Sequence, residues 1–473
     1  MYILHVSAEC FPVAKVGGLA DVVGALPKYQ KTTRRKAKVI MPFYEKAFTQ
    51  QYTPEYFERN ALFLVGKEYQ YEILTYAEDI LGFELLLVKV FGLTDREAVY
   101  GYADDTERFI AFQKVVADFI LKQKEKPKVV HCHDHHTGLL PFFMTHCYKY
   151  TSLQKIPTIL TIHNAQYQGD FDFSKVPLLP EFCISKKGIL DWDGRINPLA
   201  TAIKCSWRIT TVSPNYLQEL QYQANGLEYL LAHEADKSTG VLNGIDDLLW
   251  NPDTDDFLIE NYTKNTVEKR SENKKWLCQS FDLDIDVPLV SFIGRFVHEK
   301  GSDLLPSVIQ RVFNSLDLRV NILILGSGDT YTQDALSGLV SSYKGKYNTY
   351  IGYNEELAHI VYGGSDFLLM PSRVEPCGLN QMYAMRYGTI PIVSNVGGLK
   401  DTVVDLDQGK QGTGIVCYDI SVHEIAFAIE RAVAVYENTA LFERKRTQIM
   451  EINHSWKKSA KQYIKLYQTI TKK

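Results

Sequence analysis

The sequence predicts an α/β protein made of two doubly wound, parallel-sheet domains. Three observations predict it. Short continuous apolar runs recur in both halves of the chain, stretches with helical patterning separate them, and a polar breaker divides the halves. Continuous apolar runs are how strands covered on both faces read, and their alternation with helices gives parallel sheets. In the first half the strand candidates are Tyr2–Val6, Lys38–Met41, Glu84–Val90, Val129–Cys132 and Thr158–Ile162. In the second they are Leu289–Ile293, Val320–Leu325, Phe367–Met370 and Ile390–Val393. Thr106–Lys122 and Ser302–Asn314 carry helical patterning. The breaker starts with the turn signal Asn243-Gly244 and continues through Asn251-Pro252-Asp253-Thr254-Asp255-Asp256. It puts domains at 1–243 and 244–454, with residues 455–473 forming a helix that completes the first.

The chain has 473 residues, room for two to four domains at roughly 100–200 residues each. Its 52 basic and 56 acidic residues leave a net charge of -4, which argues against a nucleic-acid or membrane-surface role. A few local cations can still focus positive potential on a small anion. The eight cysteines are scattered without a C-x-x-C pair, as expected in a reducing compartment. The chain opens on an apolar strand without a basic leader, and no apolar run reaches 18 residues. These features lead us to expect a soluble cytoplasmic protein.

Lys15-Val16-Gly17-Gly18-Leu19-Ala20-Asp21 has the chemistry of a phosphate cradle. Glycines allow close backbone approach and positive φ, a helix starting near Leu19 would offer free N–H groups, and Lys15 adds a cation. A plain glycine turn with a solvated lysine is the competing reading. The segment has an echo at Val396-Gly397-Gly398-Leu399-Lys400-Asp401. His131-Cys132-His133-Asp134-His135-His136 ends a strand where open α/β sheets bind ligands, and Thr161-Ile162-His163-Asn164 ends the next in the same way. Asp134 reads as an active-site carboxylate or a helix cap. Zinc spacing is absent, so no metal is expected.

In the second half Gly294-Arg295 and Lys300-Gly301 follow a strand, and the two cations suit a diphosphate. Glu375-Pro376-Cys377-Gly378-Leu379-Asn380-Gln381 sets a carboxylate on a tight turn before a helix, with Cys377 a poor nucleophile for want of a base. Gly326-Ser327-Gly328 follows a strand but lacks the third glycine of a dinucleotide fingerprint. Asp191-Trp192-Asp193 matches a D-x-D pattern that is common by chance.

Together these segments resemble the bacterial glycogen synthase and plant starch synthase family of retaining GT-B glycosyltransferases. Thr211-Val-Ser-Pro214, Leu242-Asn-Gly-Ile-Asp246, Ile351-Gly-Tyr353 and Gly397-Gly398-Leu399 extend the resemblance in the family's order over nearly the whole chain. It implies two Rossmann-like domains facing a central cleft, and glucose transfer from a nucleotide-glucose donor, usually ADP-glucose, to an α-1,4-glucan acceptor. No cofactor is implied. Lys15, Gly18, Arg295, Lys300 and the Leu379 and Asn380 amides would hold the diphosphate, and Tyr353 would stack on the base. Glu375, His163, Asn243 and Asp134 would surround the glucose, with Asp21 near the donor. Gly17, His133, Asn164, Cys377 and Gly378 complete the implied substrate-binding set. The implied catalytic group is Glu375, His163, Asp134, Lys300 and Arg295.

The chain departs from the family at Gln30–Lys38 (QKTTRRKAK), at Trp207 in place of an aspartate, at Asn380 in place of a threonine, and at His298-Glu299. The competing readings are a UDP-glucose-dependent GT-B enzyme with another acceptor, a non-catalytic glucan-binding relative and, more distantly, a nicotinamide dehydrogenase.

Overall fold

The computed structural model describes residues 2–32 and 35–471. Met1, Thr33 and Arg34 of the 30–38 stretch, and Lys472 and Lys473 of the last stretch, lie outside the described residues. The chain divides into two compact units. Unit 1 runs to Asn243 and resumes at Trp456, and unit 2 is Gly244–Ser455.

Unit 1 contains β1 (Tyr2–Val6), β2 (Lys36–Pro42), β3 (Glu55–Leu64), β4 (Lys67–Tyr76), β5 (Glu84–Val90), β6 (Val129–His133) and β7 (Thr158–Ile162). A small hairpin of β8 (Asp191–Trp192) and β9 (Arg195–Ile196) follows, then β10 (Arg208–Thr211) and β11 (Ser238–Gly240). The main sheet has the order β11-β10-β7-β6-β1-β2-β5-β4-β3. It is parallel from β11 to β5, and β4 and β3 add an antiparallel edge. From β2 the chain crosses to the far edge at β3, comes back through β4 to β5, and then passes to β6 on the other side of β1. The order therefore reverses between β1 and β6, and a ligand crevice forms at the carboxyl ends of such a strand pair.

Unit 2 repeats the plan with β12 (Leu289–Phe296), β13 (Asn321–Gly328), β14 (Tyr347–Ile351), β15 (Phe367–Met370), β16 (Ile390–Ser394) and β17 (Ile415–Cys417). Their order is β14-β13-β12-β15-β16-β17, all parallel, and it reverses between β12 and β15. Leu289, Leu323 and Leu325 pack with Leu277, Leu357, Ile360 and Val361 on one face of this sheet.

The central strands of both sheets are buried along their length, which is why they read as unbroken apolar runs. Tyr2–Val6, Glu84–Val90, Thr158–Ile162 and Phe367–Met370 have the expected limits. β13 runs through Gly326 and Gly328 rather than ending before them. A Cβ at Gly326 would overlap the Gly294 carbonyl oxygen, so that glycine serves strand packing. The stretch expected as one helix at Ser302–Asn314 is a 3₁₀ turn at Ser302–Leu304, an α-helix at Leu305–Gln310 and a π-turn at Arg311–Ser315. Pro306 sits at the start of the α segment, where its missing N–H costs little.

The Trp456–Thr471 helix lies in unit 1. Trp456, Ala460, Tyr463, Tyr467 and Ile470 are buried with Ile3, Val22, Leu26, Val129 and Val241, and Trp207 packs against the same cluster. Trp207 thus has an apolar role where the resemblance implies an aspartate. No helix among the described residues is long and apolar enough to cross a membrane.

Candidate active site

In unit 1 the glycine loop, Asp134 and His163 follow β1, β6 and β7, beside the β1/β6 reversal, whereas Asn243 follows the edge strand β11. The glycine loop follows β1, and the Gly18–Gln30 helix starts directly after it. Gly17 has φ -145°, so the expected positive φ is not found there. A Cβ at Gly17 or Gly18 would meet nothing within 4 Å, so no internal packing requires either glycine. Two of the loop's N–H groups are already engaged. Val16 and Gly17 donate to Glu9 Oε2 at 2.5 and 3.0 Å, while the Tyr100 hydroxyl donates to Glu9 Oε1 at 2.7 Å. Burial pushes the Glu9 carboxyl above its ordinary range, partly offset by these three bonds. Lys15 is tethered rather than mobile, with its ammonium 3.0 Å from Asp21 Oδ1.

Asp134 follows β6 with φ 55° and ψ -174°, a conformation that costs an L-residue about 1–3 kcal/mol. Its N–H donates to Thr161 O at 3.0 Å, and its Oδ1 accepts the His163 N–H at 2.7 Å. These bonds hold the carboxylate between the ends of β6 and β7. The Asp134 side chain makes no cap hydrogen bond to the following 3₁₀ turn. Burial pushes the Asp134 carboxyl up to about 7, against the opposing pull of the His163 and Asn164 N–H groups, and nearby Glu9 raises it further.

His133 and His163 are buried, with their rings joined Nδ1 to Nε2 at 2.9 Å. His5 and His131 complete a four-ring group. Ring nitrogens of His5, His131 and His133 lie within 4.8 Å of one another, a spacing that a metal could use. They are engaged instead with one another and with Gln30, Tyr467 and Thr161. Burial holds His163 down to about 3 and His5 to about 4, so the group is neutral. Asn164 Oδ1 accepts the Gln166 N–H at 3.0 Å. Asn243 Oδ1 is buried with no hydrogen-bond partner among the described residues.

In unit 2 Arg295, Lys300 and Glu375 lie at the ends of β12 and β15, beside the order reversal, whereas Tyr353 follows the edge strand β14. The Lys300 ammonium is 2.7 Å from both Glu375 oxygens, and the Ser372 hydroxyl donates to Glu375 Oε2 at 2.9 Å. Lys300 and Glu375, expected to handle separate parts of a ligand, are therefore a direct pair. Arg295 is exposed and has no ion pair among the described residues. The Glu375 loop is fixed from behind, since Gly398 N–H donates to Glu375 O at 3.0 Å. A Cβ at Gly398 would overlap the Cys377 backbone. The echoed glycine pair is thus a packing device in unit 2 and an unconstrained loop in unit 1. Gly378 has φ 71°, as its tight turn requires. Buried Cys377 offers its carbonyl oxygen to Gln381 Nε2 at 3.0 Å. Leu379 precedes the Asn380–Arg386 helix, and Asn380 Nδ2 donates to Ile293 O at 2.9 Å. Tyr353 is 71% exposed, and its hydroxyl contacts Glu355.

The D-x-D triplet is a hairpin instead. Asp193 has φ 52°, and Asp191 Oδ1 accepts the Gly194 N–H at 3.0 Å. Sequence reasoning missed Glu9, Tyr100, Ser372, His5 and Gln30. Two of them carried a weak signal: His5 is a titratable residue inside an otherwise apolar strand, and Glu9 is a carboxylate just past it.

The starch synthase catalytic domain family matches residues 2–233, and the glycosyl transferases group 1 family matches residues 279–448. A glycogen synthase of Flavobacterium johnsoniae is 48% identical over 472 residues, covering 99% of both chains. The chain belongs to the glycogen synthase and starch synthase family. Among solved structures, the catalytic domain of starch synthase IV from Arabidopsis thaliana, bound to ADP and acarbose, matches with a TM-score of 0.88 and 31% identity. That match covers 100% of this chain and 99% of the other. A sucrose-phosphate synthase from Thermosynechococcus elongatus, 16% identical with a TM-score of 0.65 and covering 99% of this chain and 98% of its own, shares the fold. As a member of the glycogen and starch synthase family, the protein is a glycosyltransferase of GT-B fold.

Proposed function

We propose that the protein transfers glucose from ADP-glucose to the non-reducing end of an α-1,4-glucan with retention of anomeric configuration. The observation that carries this reading is the gathering of the cations, carboxylates and imidazoles at the strand-order reversal of each sheet. The ADP-bound Arabidopsis relative supports the choice of base.

In this reading Arg295 and Lys300 bind the donor's diphosphate and stabilise the negative charge that grows as the sugar leaves. An ammonium has three N–H donors. Two of those on Lys300 face Glu375, which leaves one for a phosphate oxygen. Lys15 and Gly18, with the Leu379 and Asn380 amides, assist, and Tyr353 stacks on the base. Glu375, Asp134, His163 and Asn243 bind the hexose hydroxyls, with Asp21 near the donor and Gly17, His133, Asn164, Cys377 and Gly378 shaping the surroundings. The acceptor hydroxyl attacks on the face the diphosphate leaves, and a phosphate oxygen takes its proton. Glu375 then binds rather than attacks, since double displacement needs a nucleophile on the opposite face.

Incubation with ADP-glucose or UDP-glucose plus glycogen, followed by nucleotide release and product anomer analysis, tests this. ADP release with α-linked product is expected. Preference for UDP-glucose would overturn the donor assignment, and a β-linked product the retention. Turnover of neither donor would favour a glucan-binding protein.

A further inference from the structure

Four buried imidazoles in unit 1 are joined into one directional network, and the Gln30 side chain sits at its root. Gln30 Oε1 lies 2.8 Å from His5 Nε2. A carbonyl oxygen has no proton to give, so His5 donates through Nε2–H. A neutral imidazole carries one N–H, so His5 Nδ1 is bare and accepts from His133 Nε2–H at 3.0 Å. By the same rule His133 Nδ1 accepts from His163 Nε2–H at 2.9 Å. The ring nitrogen left over is His163 Nδ1, and it carries no hydrogen.

A second arm leaves the other end of the same amide. Gln30 Nε2 donates to the Tyr467 hydroxyl at 2.9 Å. The Tyr467 O–H donates to His131 Nδ1 at 2.8 Å, and His131 Nε2–H donates to Thr161 Oγ1 at 2.6 Å. Thr161 and Thr210 hydroxyls are 2.6 Å apart, and Thr210 has the Leu160 carbonyl oxygen, 3.4 Å away, for its proton. The two arms therefore make one head-to-tail series, the first donating into Gln30 and the second away from it. If the amide were turned over, every bond in the first arm would reverse and His163 would become a donor. Burial keeps all four rings neutral, so protonation near neutral pH does not reset the order.

We propose that Gln30 is a positioning residue that fixes His163 as its Nε2–H tautomer, so that His163 Nδ1 accepts a hydrogen bond from a hydroxyl of the sugar substrate. The substrate part rests on the function proposed above, whereas the tautomer part stands on the network alone. The Trp456–Thr471 helix then has a chemical task as well as a packing one, because its Tyr467 hydroxyl accepts the Gln30 Nε2–H and carries the network on to His131.

The test is nitrogen-15 NMR of the full chain labelled at histidine, in which long-range proton couplings separate Nδ1–H from Nε2–H rings. All four network histidines should be Nε2–H. Adding ADP-glucose, or separately UDP-glucose, should shift the bare Nδ1 of His163. Gln30→Met keeps the volume and removes the amide. It should mix the tautomers of His5, His133 and His163 and lower kcat/KM for the donor about three- to tenfold, the worth of one hydrogen bond. Tyr467→Phe should act in the same direction. A wild-type His163 protonated on Nδ1 would overturn the proposal even if no variant folds. So would tautomers and kcat/KM unchanged in Gln30→Met, or an Nδ1 signal unmoved by either donor. Absent turnover in the donor assay would instead sink the proposed function and leave the tautomer result readable.

Discussion

Lys300 grips both carboxylate oxygens of Glu375 at 2.7 Å, on loops that leave the two strands flanking the order reversal of unit 2. Seventy-five positions separate them in sequence. The pair joins the expected diphosphate cation to the expected sugar-binding carboxylate, so disturbing one re-aims the other.

Glu375→Gln keeps the shape and removes the charge. We expect kcat to fall at least about a hundredfold, the scale seen when a preorganised charge at a reacting centre is lost. The fold should hold, with a loss of about 1–3 kcal/mol from the partly unpaired Lys300. Steady-state kinetics and denaturant unfolding check both. Retention of most turnover would exclude an essential negative charge at this position.

The glycine pairs of the two units should respond in opposite ways. Gly18→Ala adds a Cβ that meets nothing within 4 Å at the first position of a helix. Stability should hold or rise by about 0.4–1 kcal/mol, while the donor KM should rise because a methyl group would stand where the proposed site takes the donor's phosphate. Gly398→Ala drives a Cβ into the Cys377 backbone and should cost about 3 kcal/mol or more, displacing the Glu375 loop. Thermal unfolding and donor titration of both variants separate the cases. Equal destabilisation by the two would contradict this reading of the loops.

Strands buried on both faces were legible because burial forces continuous apolar composition, and β1, β5, β7 and β15 were read to the residue. The β3–β4 edge was not. Much of β3 is exposed, and its hairpin turns on Val65-Gly66, with φ 45° and 74°, where Asn-Gly would have given a turn signal. Site residues next to strand ends could be found because the sheet's winding decides where ligands bind. Pairings across long sequence separations, such as Glu9 with Tyr100 or Gln30 with Tyr467, had no local signal. Glu9 looks like one more polar residue until its partners are folded against it.

Trp456 is almost wholly buried in unit 1, although unit 2 precedes it in the chain. Trp456→Ala should cost about 3–5 kcal/mol, the usual range for an aromatic removed from a packed site. The loss should be local to unit 1. Hydrogen exchange should accelerate in Tyr2–Val6 and Gly18–Gln30, both in the Trp456 cluster, and stay slow in Phe367–Met370. Acceleration confined to unit 2 would refute this.

Asp134 should make stability depend on pH. The unfolded chain ionises this carboxyl near 3.8, whereas the folded chain holds its proton to about 7. Between those values the folded state binds more protons, so the contribution to stability is full below about 4 and is lost as pH rises to about 7. Asp134→Asn carries no ionisable proton. Its side-chain oxygen can still accept the His163 N–H, and asparagine tolerates positive φ. The variant should therefore be level with wild type near pH 4 and gain on it steadily up to pH 7. At pH 8 it should be more stable by about 4 kcal/mol, since the two proton affinities differ by about three powers of ten and each is worth about 1.4 kcal/mol. It should also lose turnover, because the buried charge that weakens the fold is the one the proposed site uses. Urea unfolding of both proteins from pH 4 to pH 8 measures the first effect and donor kinetics at pH 8 the second. A stability difference that does not change with pH would mean that Asp134 is already ionised at its ordinary value in the folded protein.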